Sequence, residues 1–286
     1  METIPGLARS HPKISALLLG AISAFGFQPF HLWPLGLAAM AAFGWLVWHQ
    51  AGWKRALLVG WLFGVAHFTT TNNWIATAFT YQAEMPAALG WAAVPLLSLY
   101  LAIWPGLATA AAWLIARGKG LFAFALAFGA CWIAAEWLRS WVFTGYSWGP
   151  FSMMLLGPWD RPGLARLLPF AGSYALSGVV VAAAVGGAAL AAARRWTVLG
   201  ASVLAVTALI YWPADQGGTG DLALTLVQPN LKQEDIDDAS KFEDQFQTIA
   251  GLSRPLQPGA RRLVLWPESG VPDYLRDGYP QRYYIQ

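Results

Sequence analysis

The sequence predicts an α-helical membrane bundle of about seven transmembrane helices, followed by the start of a polar α/β domain. Three observations carry that prediction. Hydrophobic residues make up 57% of the 286 positions and charged residues 12%, against about 45–50% and about 25% in soluble domains. The apolar residues fall in successive runs near the ~20 residues that a membrane helix needs. Composition then changes at Pro213-Ala-Asp-Gln-Gly-Gly-Thr-Gly-Asp221, a stretch rich in glycine and polar residues that reads as a linker.

The candidate spans are 13–30, 32–50, 55–79, 86–116, 121–143, 170–193 and 196–213. The first two are short, and Pro29 and Pro34 between them break the helix, so they form a tight hairpin. The run 86–116 is longer than a span needs and contains Pro95 and Pro105; it is expected to be kinked or tilted. Residues 1–213 are therefore read as the membrane domain, 214–220 as the linker and 221–286 as the polar domain. The N-terminal stretch has the charge and apolar run of a signal peptide. A further apolar run follows at once, and a retained first span is the better reading.

Basic residues set the orientation. Arg9 and Lys13, Lys54-Arg55, Arg117 with Lys119, and Arg194-Arg195 all fall on one side of such a bundle. The loop 80–86 carries Glu84 instead. This places the N-terminus in the cytoplasm and the C-terminal tail outside. The loop 144–169 is an exception, with Arg161 and Arg166 against Asp160; its Trp, Phe, Met and Leu content suits the membrane interface. Many of the seventeen tryptophans, among them Trp33, Trp53, Trp148 and Trp196, stand near span ends, where amphipathic rings prefer to be.

Up to Gly220 the chain is net basic, and from Asp221 it is net acidic. The high pI thus comes from loop lysines and arginines. No basic stripe exists to neutralise phosphates, which excludes nucleic-acid binding. One cysteine, Cys131, rules out an internal disulfide, and no metal-ligand spacing is present. A lipid-embedded helix disfavours a thiolate, so Cys131 is assigned to packing.

In the tail, Leu222–Val227 and Arg262–Trp266 read as short strands. Ala239–Leu252 has apolar residues at 242, 246, 249 and 252, close to helical spacing. Strand, helix, strand predicts a βαβ unit. The residues after Gly220 are too few for a full doubly covered sheet, and the chain is expected to be truncated within this domain.

Several residues stand out chemically. Glu268 follows a hydrophobic strand, where α/β enzymes place catalytic groups. Desolvation by Trp266 and Pro267 would raise its pKa toward a general base's range; the alternative is an ordinary solvated strand-end carboxylate. Gln228-Pro-Asn230 is a turn signal. Glu136 and Arg139 lie three apart on one face of span 121–143. A membrane charge costs about 2.5–3.5 kcal/mol on insertion scales, so they are read either as a structural ion pair or as part of a lipid-headgroup site. His67 and Thr69-Thr-Thr-Asn72-Asn73 make one half of span 55–79 polar, for interhelical hydrogen bonding or for a headgroup or acyl-chain cleft.

The motifs Gly26-Phe-Gln-Pro-Phe30, Trp33-Pro-Leu35, Glu136-Trp-Leu-Arg139 and Thr144-Gly-Tyr-Ser-Trp148 occur in that order. They are followed by Leu167–Ser177 (LLPFAGSYALS), Val227-Gln-Pro-Asn230 and Leu265-Trp-Pro-Glu268. In this arrangement the chain resembles the apolipoprotein N-acyltransferases of bacterial inner membranes over nearly its whole length. The resemblance implies a multi-span bundle carrying a periplasmic nitrilase-like (CN hydrolase) αββα domain. It implies ping-pong transfer of an acyl chain from a phospholipid donor, through a cysteine thioester, to the α-amine of a diacylglyceryl-cysteine lipoprotein acceptor. No cofactor and no metal are called for; membrane lipids are the surroundings. Of the family's Glu, Lys and Cys, the Glu matches Glu268 as general base. Trp148 matches an aromatic beside the active-site entrance, and Glu136, Arg139, Asn72 and Asn73 are substrate-binding candidates.

The family Lys, Cys and last membrane helix would fall beyond Gln286, and Cys131 does not match the nucleophile. The chain as written is therefore expected to be inactive. Family members also carry a Trp soon after the Gln-x-Asn motif, whereas Phe242 is the first aromatic here. A non-catalytic transporter or lipid-binding protein and a membrane-tethered nitrilase-type amidase are the competing readings; the membrane motifs favour the acyltransferase.

Overall fold

The computed structural model describes residues 10–81, 86, 88–158, 161–213, 220–236, 238–255, 261–268 and 270. The predictions that rest on Arg9, Glu84, Asp160 and most of the linker lie outside the described residues. The chain divides into two compact units, Met1–Ala214 and Asp215–Gln286.

The first unit is helical. Its elements are α1 (Pro12–Ala24), α2 (Trp33–Trp48), α3 (Trp53–Thr71), the single turn α4 (Ile75–Ala78), α5 (Ala88–Leu101), α6 (Ile103–Ile115), α7 (Leu121–Trp141), α8 (Leu168–Ala192) and α9 (Trp196–Tyr211). Three stretches are long and apolar enough to cross a membrane: Ala88–Ile115, Leu121–Trp141 and Gly163–Ala192. The chain is thus a membrane protein.

The boundaries differ from expectation for local reasons. The first span was expected to reach residue 30, but α1 ends at Ala24 and turns occupy 25–30. At 1.5 Å per residue its 13 residues extend about 20 Å, short of the ~30 Å hydrocarbon core. The third was expected to reach residue 79, but α3 stops at Thr71 with Asn72 as its C-cap. There the Thr70 and Thr71 hydroxyls bond back to Ala66 O and His67 O, competition that weakens a helix end. The expected kink in 86–116 is a break at Ala102. Pro105 has no N–H to offer and its ring crowds the carbonyl four residues back, at Leu101. A second kink falls at Gly172, with φ 69° and ψ 166°, a left-handed backbone that glycine tolerates.

Without water between helices, close approach is what holds a membrane bundle. Along the α7/α8 crossing a Cβ on either Gly129 or Gly178 would run into the other's carbonyl oxygen. The centre is aromatic. Phe43 of α2 stacks on Phe63 of α3 with ring centroids 3.9 Å apart, and Phe128 and Trp132 of α7 carry the cluster on to Phe151.

Arg161 and Arg166, the exceptions to the charge pattern, have a local use. Arg161 donates to Tyr211 O at 2.6 Å, and Arg166 to Trp212 O at 2.9 Å and Pro213 O at 3.3 Å. Both satisfy carbonyls left open at the end of α9 and complement its dipole.

In the second unit β1 (Ala223–Leu226) and β2 (Arg262–Leu265) pair in parallel, Ala223 opposite Arg262 and Leu226 opposite Leu265. The helix α10 (Phe242–Leu252) lies between them in sequence, giving the predicted strand–helix–strand order. Phe246 and Ile249 are buried as expected, whereas Leu252 is exposed. Gln245 takes a buried position instead and donates to Asp235 O at 2.5 Å.

Candidate functional site

The helix α7 presents Trp132, Glu136 and Arg139 on one face, at i, i+4 and i+7. Glu136 and Arg139 are each 2% exposed, so neither reaches the outer surface of the bundle. A carboxylate and a guanidinium placed there must be paired and hydrogen-bonded. Glu136 Oε1 lies 3.9 Å from Arg139 Nη2. The same oxygen accepts from Trp132 Nε1 at 2.9 Å and from the Phe151 N–H at 2.8 Å. The guanidinium of Arg139 sits over the Phe68 ring, 4.9 Å from its centroid, and donates to Ser147 O at 3.1 Å and Trp148 O at 3.5 Å.

These bonds run to the backbone of the segment 142–156, which joins α7 toward α8. Other elements hold the same segment. The Ser152 N–H donates to Ser177 Oγ of α8 at 2.9 Å, and the Ser152 hydroxyl to Ser173 O at 3.1 Å. Tyr100 of α5 donates to Val142 O at 3.0 Å, and His31 Nε2 bonds Leu156 O at 2.7 Å. While the backbone is held, two of its aromatics face outward: Phe143 is 91% exposed and Tyr146 is exposed. Trp148 is half-buried. Its indole N–H donates to Thr144 Oγ1 at 2.9 Å, and its ring meets Tyr146 edge-on at 5.0 Å.

Asn72 is buried at the end of α3, and its Nδ2 has no hydrogen-bond partner among the described residues. It stands one turn beyond Phe68, the ring under Arg139, and so on the same face of α3. Asn73 is exposed. Glu136, Arg139 and Trp148 thus form one connected group that Asn72 approaches through Phe68, while Asn73 is turned out of it.

Glu268 belongs to the other unit. It lies in a turn after β2, closed by Gly270 N–H to Pro267 O at 3.0 Å. The parallel register puts the Gln228-Pro-Asn230 turn and Glu268 past the same carboxyl end of the sheet, the edge where α/β sheets hold ligands. Asn230 takes a left-handed φ of 53° there, in keeping with the turn signal. The desolvation expected from Trp266 is absent: Glu268 is exposed, and the Trp266 indole N–H is directed to Ser253 Oγ at 2.8 Å.

Sequence reasoning left His67 undivided from its polar neighbours and passed over Ser23, Ser152 and Ser177. His67 is buried against Phe27, Phe63, Phe68 and Phe151, with Nδ1 2.8 Å from Ser23 Oγ. Ser177 closes one of the quoted motifs, which was its available signal; Ser152 has none, because its partners lie across a loop.

The class defined by these features is a helical membrane protein with a buried charge pair beside an aromatic loop, joined in sequence to a small α/β unit. Residues 19–186 match the family model described as the apolipoprotein N-acyltransferase N-terminal domain, and the chain belongs to that family. It is 31% identical over 288 residues to the apolipoprotein N-acyltransferase of Rhodopseudomonas palustris, covering 92% of this chain and 52% of the relative. It is 32% identical over 279 residues to the one of Ralstonia nicotianae, covering 92% and 50%. The chain therefore spans about half the length of the curated relatives it matches.

Proposed function

We propose that this chain forms the membrane body and the general-base end of an apolipoprotein N-acyltransferase of the bacterial inner membrane. The observation that supports this best is the match of residues 19–186 to the family, with alignment to named acyltransferases extending over 92% of the chain. On this reading the seven apolar stretches all span the membrane, the N-terminus is cytoplasmic, and the second unit is the periplasmic start of a nitrilase-like domain.

The chemistry has two steps. A cysteine thiolate attacks an ester carbonyl of a phospholipid, forming a thioester and releasing lysophospholipid. The α-amine of a diacylglyceryl-cysteine lipoprotein then attacks the thioester, forming the amide and freeing the thiol. Splitting one hard transfer in two is the usual gain of covalent catalysis. Glu268 serves as general base, its exposure leaving it open to a partner group. Trp148 and its loop form the lipid entrance. Cys131 packs within α7 against the aromatic core and is not the nucleophile, so the thiol comes from outside these 286 residues.

A chimera carrying the remaining half of the Ralstonia nicotianae relative tests this. With phosphatidylethanolamine and a diacylated lipopeptide, the chimera is expected to give triacylated product. Glu268→Gln should lower the rate by about 10²–10⁴-fold, the range for a general base, and the 286 residues alone should give none. Product from the isolated chain, or an undiminished rate in E268Q, overturns the assignment; release of free fatty acid with no amide formed means that water takes the acyl group and identifies a hydrolase.

A further inference from the structure

Glu136 and Arg139 both bond to backbone groups of one loop, and this says more about them than their charge does. We propose that the pair is a positioning device: it holds Trp148 at the lipid entrance through the loop backbone and makes no contact with the lipid headgroup. The proposal rests on the reading of Trp148 as an entrance residue.

Three observations converge on it. The first is burial: both side chains are 2% exposed, and their charges cancel, so an anionic headgroup would find neither access nor net positive charge. The second is where the bonds go. Arg139 reaches the carbonyls of Ser147 and Trp148, and Glu136 receives the N–H of Phe151. The two side chains thus grip the loop on either side of Gly149-Pro150. The third is backbone conformation. Trp148 has φ 50° and Phe143 has φ 65°, with Gly145 and Gly149 also left-handed. A non-glycine residue held there is strained and persists only where its surroundings over-determine it. For Trp148 those surroundings include Arg139 Nη2, which donates to the carbonyl before it and to its own.

A guanidinium suits this task because its rigid plane, laid over the Phe68 ring, holds Nη2 fixed between Glu136 and the loop carbonyls, whereas an ammonium is a single point on a flexible stem. Glu136 acts here as an acceptor, a role that a Gln side-chain oxygen retains. This sets up a test that a headgroup site would answer differently. The full chain is labelled with fluorotryptophan and placed in nanodiscs of phosphatidylethanolamine with phosphatidylglycerol. The Trp148 fluorine resonance is assigned by its loss in Trp148→Phe.

Arg139→Met and Glu136→Leu are expected to move that resonance toward the position of free fluorotryptophan, leaving the exposed Trp91 of α5 unmoved. Glu136→Gln should stay near the parent position and Arg139→Lys fall between. Raising the phosphatidylglycerol fraction should leave the line where it is. A Trp148 line unmoved in R139M overturns the proposal, as does a line that follows phosphatidylglycerol only when Arg139 is present. Should R139M fail to fold, R139K decides: a parental Trp148 line in that variant is equally fatal. The readout needs no acyl transfer, so it stands apart from the fate of the acyltransferase reading. In the chimera that does make product, R139K is expected to raise KM for phospholipid several-fold with little change in kcat.

Discussion

Replacing Glu136 by Leu removes one carboxylate and strands three partners. The Phe151 N–H and the Trp132 indole N–H lose their common acceptor, Glu136 Oε1, and Arg139 loses its counter-charge at 3.9 Å. A buried donor left unmade costs about 1–3 kcal/mol, and breaking a buried ion pair by removing one partner costs about 3–5 kcal/mol. These overlap, since all three partners share one oxygen, so E136L is expected to lose about 3–5 kcal/mol. Arg139→Leu, which strands the carboxylate, should lose a similar amount. The double variant is the informative one. With both charges gone, no uncompensated ion remains, and apolar replacement of a buried pair is often neutral or better. The two N–H groups stay unpaired, so full recovery is not expected. The double variant should therefore lose at least about 2 kcal/mol less than the sum of the singles, a coupling in the range seen for contacting residues. Reversible unfolding of the chain in bicelles, followed by helical circular dichroism, measures all four corners of the cycle. Additivity within about 0.5 kcal/mol would refute the reasoning, because it would mean the two charges do not sense each other.

Two further outcomes follow from the page. Arg161→Ala with Arg166→Ala removes the donors to Tyr211 O, Trp212 O and Pro213 O, and should fray the last turn of α9 by about 0.3–1 kcal/mol per charge; amide exchange that speeds up at 208–212 checks it, and unchanged exchange there contradicts it. In the second unit, Ser240 hydroxyl and N–H donation holds the Asp238 carboxyl below its ordinary value, and Asp235 raises the Lys241 ammonium; the turn into α10 is therefore expected to keep its protection between about pH 4 and pH 10, to lose Asp238's share as pH falls through that lowered pKa and Lys241's as pH rises through its raised one. Amide exchange at 239–242 across that range reads it, and Asp238→Asn should flatten the acid limb and weaken the base limb less, since Asp235 is the main partner of Lys241 and Asp238 the lesser one.

The helices were legible because their signal is local. Apolar runs and the charge break at 213–221 need no tertiary knowledge, and neither does the proline that opens a break at Ala102. Glu136 and Arg139 were legible for a related reason: a charge in an apolar run is conspicuous, and three residues apart is one face of a helix. Their partners were not. Phe151 N, Ser147 O and Trp148 O are ordinary groups whose relevance appears only when the 142–156 segment folds back on α7. The environment of Glu268 was misjudged by the same limit. Nearness to Trp266 in sequence implied desolvation, but the indole is spent on Ser253 and Glu268 stands exposed in the turn after the strand.

Arg161 and Arg166 show how a sequence rule and a structural need collide. The positive-inside rule treats a loop arginine as a marker of sidedness, yet a helix that ends at a membrane face leaves up to four carbonyls without partners. In α9 the chain leaves for the linker directly after Tyr211, so no following residue supplies a cap; Trp212 is already extended, with ψ 134°. Donors must come from elsewhere in the fold, and residues 161–167 are what the bundle packs there. Two arginines in an otherwise apolar, aromatic loop are then the expected composition and not an exception. The same logic governs Arg139, whose donors also end on backbone carbonyls, Ser147 O and Trp148 O. At this end of the bundle arginine serves chiefly to satisfy the main chain, which leaves the exposed Phe143 and Tyr146, with the half-buried Trp148, for the lipid entrance proposed above.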